Sequence, residues 1–82
     1  MNPMTKMIEA LKAEVEMNEQ SYRLVTEQTS RLIADYAGKA PSSHFGHNLA
    51  ARAAELSVIA GKLETARGSL RYAMTLQEMS AE

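Results

Sequence analysis

Two histidines, His44 and His47, stand three residues apart just after Pro41. Neutral imidazoles at that spacing on a helix can share a metal ion, and Asp35 is the nearest candidate for a third ligand. The chain has no Cys, and no His-Glu pattern typical of a metalloenzyme accompanies the two histidines. We therefore predict no metal site and no cofactor, and we expect His44 and His47 to be solvated at the start of a helix.

A first candidate ligand site surrounds the same helix start. Backbone N–H groups at a helix N-terminus and the positive end of the helix dipole attract anions. Five side chains would stand around a phosphate or nucleotide there: Lys39, Ser42, Ser43, His44 and His47. The alternative is ordinary helix capping by a serine, since every capped helix has part of this equipment.

A second candidate ligand site involves Asn18 and Arg67, which interrupt two otherwise apolar heptad patterns. A buried guanidinium needs acceptors, and Glu14 and Glu64 are the candidates in sequence. In an oligomer, several Arg67 side chains could surround an anion. The alternative is an Arg67 whose head group reaches solvent and pairs with a glutamate.

The element that must position these residues is a leucine heptad. Leu49, Leu56, Leu63 and Leu70 recur every seven residues. We assign the second core position of this heptad to Ala53, Ala60 and Arg67. A regular heptad of this kind predicts a long helix with one narrow face packed against other helices.

The first half of the chain carries its own heptad, with apolar residues at alternating steps of four and three and polar exceptions at Asn18 and Thr29. Its members are Met4, Ile8, Leu11, Val15, Asn18, Tyr22, Val25, Thr29, Leu32 and Tyr36. Asn2 and Pro3 suit a helix start, whereas Gly38 and Pro41 end a helix. We predict helix 1 at about 3–37, a loop at 38–43 and helix 2 at about 43–79, in one domain spanning 1–82.

Two long helices joined by a short loop predict an all-α antiparallel hairpin, similar to a coiled coil. Pairing Thr29 with Leu56 places Tyr22 opposite Leu63 and Asn18 opposite Arg67. We expect this polar pair to fix the register of the two helices inside the apolar interface.

A hairpin of this size has little core of its own, so we expect it to self-associate into a four-helix or larger bundle, most simply as a dimer. Each glycine in a helix interior costs about 1 kcal/mol relative to alanine, and close approach of another helix would explain such a cost. Small residues form a second stripe on helix 2, and we assign it to the interface: Ala50, Ala54, Ser57, Gly61 and Gly68. The alternative is a solvated face that tolerates glycine.

Composition narrows the function classes. The net charge of -1 gives no overall attraction to nucleic acid or to an acidic membrane. No apolar run approaches the roughly 20 residues of a membrane span, and no secretory signal precedes the heptads, so we expect a cytoplasmic protein. Nothing resembles a catalytic motif or a phosphate-binding glycine loop, so we predict that the protein is not an enzyme.

The leucine-and-alanine heptad and the hairpin length resemble the Rop class of RNA-binding helical hairpins, which dimerise into four-helix bundles. The resemblance implies the architecture, but no RNA-contacting residue of that class can be matched to this chain. Our main hypothesis is a small interaction or inhibitor protein that binds another protein, of the kind common among phage and plasmid accessory factors. The alternatives are an oligomer that sequesters a phosphate-bearing small molecule such as a cyclic nucleotide, and a Rop-like RNA-binding hairpin.

Overall fold

The computed structural model describes residues 2–81, and over that range the chain is an all-α hairpin. Helix α1 is Pro3–Tyr36 and helix α2 is Ser43–Ala81. The two helices pack along each other in a rod of 64 × 15 × 15 Å. The predicted hairpin is confirmed, and the helices end within two residues of the positions expected from the sequence.

The predicted stop and start signals act at the helix ends. The Asn2 side-chain oxygen accepts a hydrogen bond from the Met4 N–H at 2.8 Å, with Pro3 in the first helical turn. Gly38 has φ +76°, a left-handed conformation that glycine adopts without steric cost. The Ser42 hydroxyl accepts a hydrogen bond from the Phe45 N–H at 3.3 Å, which makes Ser42 the cap of α2.

The face of α1 that packs on α2 follows the predicted heptad. Ile8 and Val25 are buried, and most other members of the heptad are half-buried. Tyr22 is 40% exposed and lies at the edge of the interface. Thr29 is tolerated in the interface because its hydroxyl donates to the Val25 carbonyl at 2.7 Å.

The packing of α2 corrects one prediction. The leucine positions are buried or half-buried as expected and Ala60 is half-buried, but Ala53 and Arg67 are exposed. The second core position lies three residues after each leucine and holds Arg52, Ile59, Ala66 and Ala73, of which Ala66 and Ala73 are 3% and 1% exposed. This rotation of α2 brings Ile59 and Phe45 toward α1 and so removes more apolar area from water than Ala53 and Ala60 would.

The predicted polar pair in the interface is also wrong. The Asn18 amide donates to the Glu14 carbonyl of its own helix at 2.9 Å. The Arg67 guanidinium lies instead 3.5 Å from the Glu19 carboxylate across the hairpin, with 53% of the Arg67 side chain exposed. The rotation of α2 moves Arg67 to the flank of the interface, where its charge stays hydrated.

Within residues 2–81, neither helix combines the length and the apolar character needed to cross a membrane.

Candidate interaction surfaces

The loop end of the hairpin is organised by aromatic packing. The rings of Tyr36 and Phe45 stack with centroids 4.8 Å apart, and the Lys39 ammonium lies 5.5 Å from the Tyr36 ring centroid. Phe45 lies outside the leucine heptad, and its spacing alone does not indicate this role. Stacking between the end of α1 and the start of α2 ties the loop to the hairpin, since offset aromatic pairs contribute about 0.5–1.5 kcal/mol beyond their buried area.

The five residues of the predicted loop site lie in the connection between the helices and in the first turns of α2. Lys39, Ser42, Ser43, His44 and His47 are all exposed. The Ser42 hydroxyl is engaged in capping α2, and Lys39 stands over Tyr36. Across residues 2–81, no group of three or more His, Asp or Glu side chains is placed to hold a metal ion. The arrangement accounts for Lys39 and Ser42 as structural residues of the loop.

Arg67 borders a shallow groove along one flank of the hairpin, with a volume of about 570 Å³. Its floor is formed by Tyr22, Thr26, Ala60 and Leu63. Its charged residues are three glutamates and two arginines: Glu19, Glu27, Glu64, Arg23 and Arg67. An excess of negative charge around the groove does not favour an anion, and Asn18 is not part of its lining.

The predicted interface stripe lies outside the packed face of α2, and Ser57 and Gly61 line a groove with Glu14 of α1. Ala50, Ala54, Ser57, Gly61 and Gly68 are all exposed in the hairpin. A Cβ added at Gly61 or Gly68 would have no neighbouring atom within 4 Å. Packing inside the hairpin therefore gives no reason for glycine at either position.

Three residues of this stripe, Ala54, Gly61 and Gly68, belong to a longer uncharged face, which we call the outer seam of α2. It follows the same alternation of three and four residues as the leucine heptad. All its members are exposed, and none is Asp, Glu, Lys or Arg. The members are His44, His47, Ala51, Ala54, Val58, Gly61, Thr65, Gly68, Tyr72, Thr75 and Met79. Val58 is 58% exposed, and Tyr72 and Met79 are each 68% exposed. Val58 and Thr65 were not predicted as surface residues, although the lack of charge at two heptad positions along α2 marks this face in the sequence.

Helix α1 has a shorter counterpart, which we call the outer patch of α1. Its exposed residues are Ala10, Ala13, Met17, Gln20 and Leu24. Met17 is 66% exposed and Leu24 is 55% exposed. Lys6, Glu27 and Arg31 bound the patch at its two ends. Two further exposed apolar side chains of α1, Met7 and Ile33, lie outside it.

The open end of the hairpin holds several exposed methionines. The Gln77 amide lies 3.5 Å from the Thr5 hydroxyl, which places the start of α1 beside the end of α2. Met7 and Met74 are 44% and 41% exposed. Met74 follows Arg67 by one heptad along one flank, whereas Met7 precedes Glu14, which lies with Gly61 and Lys62 on the other flank. The methionines therefore face different directions.

No protein-family model, curated protein or solved structure matches this chain. The molecule is accordingly defined by its own geometry, as a two-helix hairpin with apolar faces on the outside of both helices.

Proposed function

We propose that this chain is a non-enzymatic binding protein, an interaction or inhibitor subunit that acts as a self-associating helical hairpin. The observation that carries the proposal is the outer seam of α2, which is as free of charge as a helix face that packs against a neighbour. Covering the exposed side chains of Val58, Tyr72 and Met79 would stabilise the complex by roughly 25 cal/mol per Å² of apolar area removed from water.

Self-association and partner binding are assigned to different faces. The outer seam of α2 is long and contains glycines, which suits close packing of another long helix. The outer patch of α1 is short and is centred on Met17 and Leu24, and flexible methionine side chains adapt to a partner's surface. Covering a partner's surface with such a patch can inhibit the partner without any chemistry.

The two alternatives from the sequence have less support. A phosphate-bearing ligand would need cations and donors that are free to bind it, whereas Arg67 pairs with Glu19, Ser42 caps α2 and Lys39 packs on Tyr36. An RNA-binding surface would need a row of unpaired cations. Arg52 is 3.1 Å from the Glu55 carboxylate, and its guanidinium also lies 3.4 Å from the Gln28 side-chain oxygen.

Native mass spectrometry of the protein isolated from its natural host tests self-association and, in the same measurement, the ligand-sequestering alternative. We expect an oligomer without an added small-molecule mass. A monomer at every concentration would contradict self-association, and a retained mass of a few hundred daltons would favour the ligand-sequestering alternative.

The assignment of a protein partner to α1 is tested by a photoreactive amino acid at Gln20, between Met17 and Leu24. In the host cell we expect a covalent adduct with one protein, and we expect Leu24→Glu to abolish it. The matched control is the same photoreactive residue at Ser30, also exposed on α1 but outside the patch. Equal adducts from both positions, or an adduct that survives Leu24→Glu, would contradict the assignment.

A further inference from the structure

We infer that the outer seam of α2 binds the outer seam of a second copy of this chain, antiparallel, with Tyr72 of each copy seated against Gly61 of the other. The inference rests on the proposed self-association and adds its partner, direction and register. It is carried by the charges that border the seam and by the placement of large and small residues along it.

The charges beside the seam favour the antiparallel direction. In coiled coils, residues that flank the packed positions pair across the interface. In a parallel, in-register dimer, Glu64 would lie beside the partner's Ser69, and Arg71 beside the partner's Leu76. In an antiparallel dimer, Glu64 can face the partner's Arg71, and two-fold symmetry makes that ion pair twice.

The same charges select one antiparallel register. With Glu64 opposite the partner's Arg71, Gly61 faces the partner's Tyr72 and Thr65 faces the partner's Gly68. Neither Glu64 nor Arg71 has an ion pair among the described residues of the hairpin. Both charges are therefore available to a second copy.

One register, a single heptad away from the selected one, places Glu64 opposite the partner's Glu64 and Lys62 opposite the partner's Lys62. This register is disfavoured by charge. Like charges across an interface weaken binding and select against wrong arrangements.

Shifting the register by two heptads pairs Glu55 with the partner's Lys62. Glu55 is already 3.1 Å from the Arg52 guanidinium within the hairpin. Tyr72 would then face the partner's His47 instead of a glycine. This register uses a charge that is already paired and loses the fit of a large side chain to the gap at Gly61.

The selected register also explains the glycines. A tyrosine ring of one helix fills space only if the facing residue leaves room for it, and the surroundings of Gly61 are empty in the hairpin. Because the outer seam lies opposite the inner face of α2, the dimer is a row of four helices with α2 and its copy in the centre. This row differs from a closed four-helix bundle, and it leaves the outer patch of α1 free on both edges.

Cysteine cross-linking tests the register, and the natural chain has no Cys. A Gly61→Cys variant and a differently tagged Tyr72→Cys variant are mixed under mild oxidation by air with a copper catalyst. We expect a mixed disulfide, since the two Cα atoms would stand within about 7 Å. Predominant Gly61→Cys homodimers, or more efficient cross-linking of Gly61→Cys with Val58→Cys, would overturn the inference.

A charge exchange tests the ion pairs without altering the apolar residues. Glu64→Arg alone and Arg71→Glu alone should each weaken dimerisation about tenfold, because each puts two like-charged pairs across the interface. The double variant Glu64→Arg with Arg71→Glu should restore the wild-type affinity, because the pairs re-form with reversed sign. A double variant that is as weak as the single variants would overturn the inference.

Failure of this inference differs from failure of the proposed function. A wild-type oligomer that gives no Gly61–Tyr72 cross-link and shows no restoration by charge exchange would refute only the register. A wild-type monomer at all concentrations would refute self-association itself.

Discussion

The two faces of α2 follow the same heptad rule but differ in what covers them. The inner face presents Leu63, Ala66 and Ala73 to α1, and all three are buried. The outer seam presents Gly61, Gly68 and Tyr72, and all three are exposed. Both faces lack acidic side chains along their packed positions, and Arg52 is the one cation among the inner positions that the structure describes. A helix with two faces nearly free of charge is typical of one that lies between two neighbours, and the chain itself supplies one of them.

The largest expected effect follows from placing the same charge on each face of α2. Leu63→Asp should abolish the cooperative helical fold, because burying a carboxylate and losing the leucine exceeds the roughly 3–5 kcal/mol that such a small core supplies. Circular dichroism during thermal unfolding measures this loss.

The matched control for Leu63→Asp is Val58→Asp on the outer seam, which should keep the helices and weaken only self-association. A Leu63→Asp chain that still unfolds cooperatively would contradict the assignment of the inner face.

The next largest effect is expected from removing the cap of α2, which destabilises the helix as a whole and favours neither of its faces. Ser42→Ala should lower the free energy of unfolding by about 1 kcal/mol, because the Phe45 N–H loses its acceptor. Chemical denaturation measures the change, and Ser43→Ala, which removes the neighbouring exposed hydroxyl, is the control. Equal losses from both variants would show that Ser42 is not the cap.

Gly61→Ala should separate the stability of the hairpin from that of the dimer. At low concentration the variant should gain about 0.5–1 kcal/mol, because alanine favours the helix and the added Cβ meets no atom of the hairpin. At high concentration it should dimerise more weakly than the wild type, because the Cβ would occupy the space of the partner's Tyr72.

Gly46→Ala is the control for this pair of measurements. Gly46 is also helical with open space around it but lies outside the outer seam. It should stabilise the hairpin and leave dimerisation unchanged. A Gly61→Ala variant that behaves in the same way would remove the argument for close packing at Gly61.

The smallest expected effect is at the flank between the two faces. Arg67→Gln should change the free energy of unfolding by less than about 0.5 kcal/mol, because the pair with Glu19 spans 3.5 Å and both side chains are largely hydrated. Thermal unfolding at low and high salt measures it. A loss of several kcal/mol would restore the idea of a buried polar layer containing Arg67.

The periodicity of α1 and the capping residues were sufficient to predict most of the fold. Asn2, Gly38 and Ser42 act at the helix ends because their chemistry is local and depends on few neighbours. The rotation of α2 could not be predicted in the same way. Alanine occurs both three and four residues after the leucines, so Ala60 and Ala66 were equally plausible core residues until the packing of Phe45 and Ile59 on α1 decided between them.

The candidate surfaces were predicted in part for a similar reason. Gly61 and Gly68 stand out in a helix because of their intrinsic cost, and they identified the interface stripe. Val58 and Tyr72 carry no such intrinsic cost in a helix, so the absence of charge at their heptad positions, and not their residue type, marks them as members of the outer seam. Of the two interpretations of Arg67, a buried polar layer and a head group that reaches solvent beside a glutamate, the structure shows the second. The choice depends on the side-chain rotamer, which cannot be derived from spacing.

Sedimentation equilibrium of the wild type, Thr65→Lys and Ser30→Lys tests the central claim, that the outer seam of α2 is covered by a second copy. Thr65 lies in the middle of the seam, and Ser30 is an exposed position on α1 outside both apolar surfaces. We predict a dimer for the wild type and for Ser30→Lys and a monomer for Thr65→Lys, with helical content retained in all three. A Thr65→Lys variant that dimerises as tightly as the wild type would contradict the claim.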